Sequence, residues 1–151
     1  MRIFFSSFLI LWTLNQVVAQ NATKAHKDSL NTIIQKYYDL NLKVFQANSK
    51  IEDIDKVFEL FSYDFTYIHP KYGGTYTRKD LYNGYIKNQK NGGYNGEETA
   101  VKIINRITGL NAVVVHRSYV ISKNGELKDE NPKMTLFEFK KGKIFRIFEY
   151  W

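Results

Sequence analysis

The hydrophobic pattern of this chain changes period once, at Glu97. Before it, apolar residues recur at helical spacing. After it they alternate or run in Val- and Ile-rich stretches bounded by turn residues, as strands do. Helices followed by consecutive strands with short connections specify an α+β domain, in which an antiparallel meander packs against the helices.

His26 to Ala47 reads as one long helix, with Leu30, Ile33, Ile34, Tyr37, Leu40, Val44 and Ala47 on its main apolar face. Tyr38, Leu42 and Phe45 add a second strip, so the helix is buried on more than a narrow side. Ser49 to Glu52 is a capping box that opens a second helix carrying Ile54, Val57, Phe58 and Phe61. A short strand, Phe65 to His69, is broken by Pro70 and followed by a Gly73-Gly74 turn. Thr77 and Asp80 cap a third helix, with Leu81, Tyr82, Tyr85 and Ile86 inward and Gly92-Gly93 at its end. Strands then follow at Glu97 to Thr108, Ala112 to Lys123, Met134 to Lys140 and Lys143 to Trp151, with tight turns at Asn124-Gly125 and Lys141-Gly142.

At 151 residues this is one domain. Eleven Tyr and eleven Phe are many for this length; such rings fill a large core, line a pocket or cover an interface. Residues 1–19 have the layout of a secretory signal peptide: Arg2, an apolar run from Ile3 to Leu14, and a cleavage point after Ala19. The run is too short, and too broken by Ser6, Ser7 and Thr13, to span a bilayer. The expected mature unit is therefore a single domain over 20–151, secreted or periplasmic, with no membrane attachment once the signal is removed. Its charge is +6, because +7 loses only Arg2. The lysines are scattered and the densest group, Lys140, Lys141 and Lys143, falls in a hairpin turn, so no nucleic-acid surface is expected. The chain has no cysteine and its three histidines lack ligand spacing. No phosphate loop or nucleophile elbow occurs. Neither metal nor cofactor is expected.

A two-residue loop in the last hairpin sets Lys140 opposite Lys143, Glu138 opposite Phe145 and Leu136 opposite Ile147. Both faces of that hairpin are then largely apolar, whereas a sheet with one wet face alternates cleanly. The helices cover one face. A homodimer through the sheet is the simplest cover for the other.

The segments Leu60 to Pro70, Thr77 to Leu81 and Gly142 to Trp151, in this order of elements, resemble the nuclear transport factor 2-like (SnoaL-like) superfamily. The resemblance covers nearly all of 20–151. It implies a cone-shaped α+β fold: a curved antiparallel sheet wrapped around the long N-terminal helix, two shorter helices, and an apolar pocket at the wide end, often in a dimer. Members include isomerases, dehydratases, cyclases and epoxide hydrolases, as well as pocketed proteins with no known reaction, so the fold does not set the function. In the ketosteroid isomerase branch the residue before the strand-end proline is a carboxylate base. Here it is His69, whose ordinary pKa near 6.5 also suits proton transfer. Those isomerases add a helix tyrosine as oxyanion donor, but the spacing here leads to Asn41 or Leu42, with Tyr38 a turn earlier. Glu138 and Glu149 are the candidates for a buried acid.

The expected pocket set is Tyr38, Phe65, Tyr67, Tyr85, Tyr119, Glu138 and Trp151 around His69. The expected function is binding of a small apolar or aromatic molecule. The alternative is a small lyase or isomerase with His69 as general base.

Overall fold

A computed structural model describes residues 23–151. The expected signal peptide and its cleavage point lie outside the described residues.

Helix α1 spans Lys24–Val44 and is capped by Thr23, whose hydroxyl accepts from the His26 N–H at 3.2 Å. It buries Leu30, Ile34, Tyr37, Tyr38, Asn41 and Val44. Helix α2 spans Ile51–Phe58. Its start is one residue later than the expected Ser49–Glu52 box: the Asp53 carboxylate accepts from the Lys50 N–H at 3.0 Å. Lys43 balances this buried aspartate at 2.8 Å. Strand β1 runs Phe61–His69, four residues longer than the sequence suggested, and takes Phe61 out of the second helix. A 3-10 turn over Pro70–Tyr72 ends at Gly73, whose φ of 94° is open to glycine at little cost. The chain then doubles back as β2, Gly74–Thr77, where only a turn was expected. Helix α3, Arg78–Lys90, begins at the expected Thr77–Asp80 capping box.

The remaining strands are β3 (Glu98–Thr108), β4 (Ala112–Lys123), β5 (Glu126–Asp129), β6 (Lys133–Lys140) and β7 (Lys143–Tyr150). The sheet order is β2-β1-β7-β6-β4-β3, with β5 added to the far half of β4. The sheet is mixed, because β1 lies parallel to β7 while every other pair is antiparallel. Helix α3, which lies between β1 and β7 in sequence, together with the intervening strands makes that parallel return possible.

The curved sheet wraps α1. The core joins Leu30, Ile34, Tyr37 and Tyr38 of α1 to Val113, Val115, Phe137, Ile144 and Ile147 of the sheet. Phe58 of α2 fixes the neighbouring elements, with ring contacts to Phe61, Tyr82 and Tyr85 at 5.1, 5.0 and 5.5 Å. No helix among the described residues is long and apolar enough to cross a membrane.

The last hairpin corrects the expected register. Lys140 does face Lys143, but a bulge at Phe145 then sets Glu138 opposite Arg146 and Leu136 opposite Phe148. The extra residue reverses the expected faces of β7 beyond it. Thr135, Phe137, Ile147 and Glu149 point inward, and Leu136, Glu138, Arg146 and Phe148 point outward. The outer face keeps a continuous apolar row across five strands: Ile68, Phe148, Leu136, Val114 and Ile107.

Candidate functional site

Two adjacent cavities open between α1, α3 and the inner face of the sheet, with Tyr67 and Trp151 as walls of both. The outer one, about 250 Å³, is lined by Tyr67, His69, Tyr72, Tyr76, Leu81 and Trp151. The inner one, about 240 Å³, lies against Asn41, Tyr85, Arg117, Tyr119 and Glu149.

The end of β1 and the 3-10 turn build the outer cavity. Strand alternation points Tyr67 and His69 the same way. Pro70 stops the strand, and the turn lays the Tyr72 ring 4.3 Å from the His69 ring. The Trp151 ring meets His69 edge-on at 4.4 Å. His69 is only 1 % exposed, and neither ring nitrogen has a hydrogen-bond partner. Burial pushes its pKa below the ordinary 6.5, and nearby Lys71 and Lys133 add to the effect against an opposing pull from Glu149. The ring is neutral at pH 7, with one nitrogen free to accept and one free to donate.

The inner cavity is polar. Arg117 and Glu149 are each 4 % exposed, with Nη2 and Oε1 3.8 Å apart. The other Glu149 oxygen accepts from Thr135 Oγ1 and Trp151 Nε1, both at 2.7 Å, so the last residue is tied down by the acid two before it. Burial opposes the Arg117 charge, but Tyr119, Tyr38 and Glu149 more than offset it, and its pKa is raised. Tyr85 donates to the Asn41 side chain at 2.6 Å, and Asn41 in turn donates to the Tyr37 carbonyl at 2.8 Å. Burial pushes the Tyr67 and Tyr119 hydroxyls well above their usual range, so both stay protonated donors.

Of the residues singled out from sequence, His69, Tyr67, Tyr85, Tyr119 and Trp151 line these cavities. Tyr38 and Phe65 belong to the packed core instead: Phe65 stacks on Phe61 at 4.0 Å, and Tyr38 lies between Tyr37 and Phe137. Glu138 is on the outer face, paired with Arg146 at 2.7 Å, because alternation along β6 points it opposite to the buried Thr135, Phe137 and Phe139. Sequence reasoning missed Arg117, Tyr72, Tyr76 and Lys133. Arg117 alone carried a signal, as an arginine inside the Val-rich β4, where a charge is out of place on a covered strand.

No family model matches the sequence, and no curated protein does. Solved structures do match. An LEH-like epoxide hydrolase of M. tuberculosis superposes with a TM-score of 0.57 at 16 % identity, covering 82 % of each chain. A nuclear transport factor 2-like protein of Anabaena variabilis gives 0.57 at 15 %, covering 85 % of this chain and 92 % of that one. The fold is nuclear transport factor 2-like. A Catenulispora acidiphila protein with a ketosteroid isomerase-like fold, in complex with trimethylamine, gives 0.53 at 17 %, over 79 % of this chain and 84 % of its own. At such identities the likeness is one of fold. Within this nuclear transport factor 2-like cone the cavities lie between the sheet and the helices, and Asn41 occupies the α1 wall.

Proposed function

We propose that this chain is a binding domain for a small molecule with an apolar or aromatic body, held in the paired cavities beneath α1 and α3. One observation carries this reading: beside an aromatic-walled cleft lie buried polar atoms, the two His69 ring nitrogens and Arg117 Nε and Nη1, that have no partner among the described residues. Unpartnered buried polar groups are costly. A few of them converging on an apolar cavity is the usual form of a ligand site. The C. acidiphila neighbour, which holds a small amine, supports a ligand-binding use of the fold.

Trp12 and Trp151 are the only tryptophans. In the full chain with Trp12→Phe, Trp151 emission therefore reports on the cavity wall alone. Titration with neutral one- and two-ring aromatics should give a saturable change, weakened by Tyr67→Ala. A linear, unsaturable response to every compound would sink the reading.

The lyase or isomerase reading is favoured by one feature, the neutral and unpartnered His69 ring at a cavity wall. It requires turnover that His69→Ala abolishes while ligand binding persists. We also propose that residues 1–19 are removed on export to the periplasm or medium. The intact mass of the exported chain tests this, and a mass that still includes Met1 to Ala19 speaks against it. Finally, the outward apolar row suits pairing of two copies through the sheet face.

A further inference from the structure

The inner cavity holds a buried cation whose donors are largely unanswered. Arg117 has five N–H groups in one plane. Its Nε and Nη1 have no hydrogen-bond partner. Glu149, at 3.8 Å from Nη2, is beyond hydrogen-bond reach. The Tyr119 and Tyr38 rings lie 4.5 and 5.6 Å from the guanidinium carbon and attract its charge. An aromatic ring, however, does not replace the oxygen acceptors that a guanidinium loses when it leaves water.

Glu149, Glu130 and Lys133 on this wall have partners of their own. Glu149 takes hydrogen bonds from Thr135 and Trp151. Glu130 pairs with Lys133 at 3.0 Å, and the Lys133 ammonium also sits 4.1 Å from the Trp151 ring. Glu98 lines the cavity from the start of β3. Arg117 is thus the deep cation still short of acceptors, one partition away from an apolar chamber walled by Tyr67, Tyr72, Leu81 and Trp151.

We propose that Arg117 anchors the carboxylate of a small aryl- or alkyl-carboxylic acid whose apolar body lies against the aromatic walls of the same inner cavity, Tyr67, Tyr85 and Trp151. This rests on the binding reading above and names its ligand class. A carboxylate matches the planar guanidinium with two parallel hydrogen bonds. Glu98, Glu130 and Glu149 on the same wall repel any anion, and they repel a singly charged carboxylate less than a doubly charged phosphate.

The test is calorimetric titration of the full chain with 3-phenylpropionate and with its neutral counterpart 3-phenylpropanamide. The acid should bind about tenfold tighter or more, the scale of a charge-assisted pair. Arg117→Gln should erase that preference. Because Arg117→Gln removes a buried group and can impair folding, a second readout uses the unmodified chain: the Arg117 Nε–H resonance should shift with the acid and not with the amide. Equal affinity for acid and amide in the unmodified chain overturns the anchor and leaves the pocket standing. An acid preference that survives in Arg117→Gln overturns it too, and moves the role to another cation such as Lys133. If neither compound binds at millimolar concentration, the binding reading falls and the anchor with it.

Discussion

His69 and Arg117 are both buried bases, held in opposite protonation states for identifiable reasons. His69 has apolar rings on two sides and lysines nearby, so desolvation decides and the ring stays neutral. Arg117 has Glu149 and two tyrosines around it, and its charge survives burial. The pH consequence follows from His69. Unfolded, it takes up a proton near pH 6.5. Folded, it does so only at lower pH, so between those values the unfolded state holds the extra proton. Stability is fully present above about pH 6.5 and declines as pH falls through the folded value. Melting temperatures from pH 7.5 to 5 should fall more steeply for the unmodified chain than for His69→Gln. Parallel curves would mean that the ring is solvated.

At the scale of elements, two features set the local stability. The Thr77–Asp80 box closes both ways at the start of α3: the Asp80 N–H donates to Thr77 Oγ1 at 3.2 Å, and the Thr77 N–H donates to Asp80 Oδ2 at 3.0 Å. Thr77→Ala should cost about 1 kcal/mol in a urea titration. The second feature is a contrast between two hairpins. Asn124-Gly125 and Lys141-Gly142 each have both turn residues at positive φ, 54° and 83° in the first and 51° and 73° in the second. Asn-Gly suits that turn, whereas lysine carries a Cβ penalty in the left-handed region. Lys141→Asn should therefore raise stability, by up to about 1 kcal/mol. An unchanged urea midpoint would show that the lysine is already relieved there.

At the scale of the whole molecule, the outward apolar row is a surface that no other element among the described residues covers. Ile107 is 66 % exposed and Tyr150 51 %, beside the half-buried Leu136, Val114 and Phe148. If two copies meet there, sedimentation should give a dimer, and Leu136→Asp in the middle of the row should shift it to monomer without loss of helical and strand signal. A monomer at all concentrations would leave the row without a second copy to cover it.

Much of this architecture was legible in the residues. The long helix, the Thr77 cap, the β4 boundaries and the His-Pro strand end all rest on local signals, namely period, caps and turn chemistry, which act within a few residues. The pocket was legible in half, because alternation along β1 places Tyr67 and His69 together whatever the rest of the fold does. The other half depended on register between distant strands. One bulge at Phe145 put Glu149 on the inner face, opposite to Glu138, and nothing near that residue announces it. Arg117 likewise became a site residue only when β4 was placed across β6 from the end of β7. The sequence by itself determined the three helices and the long strands, and that the chain is an α+β domain rich in aromatic side chains. Only the tertiary structure decided which polar groups share a cavity, because a one-residue slip in pairing moves every later side chain of a strand to the opposite face.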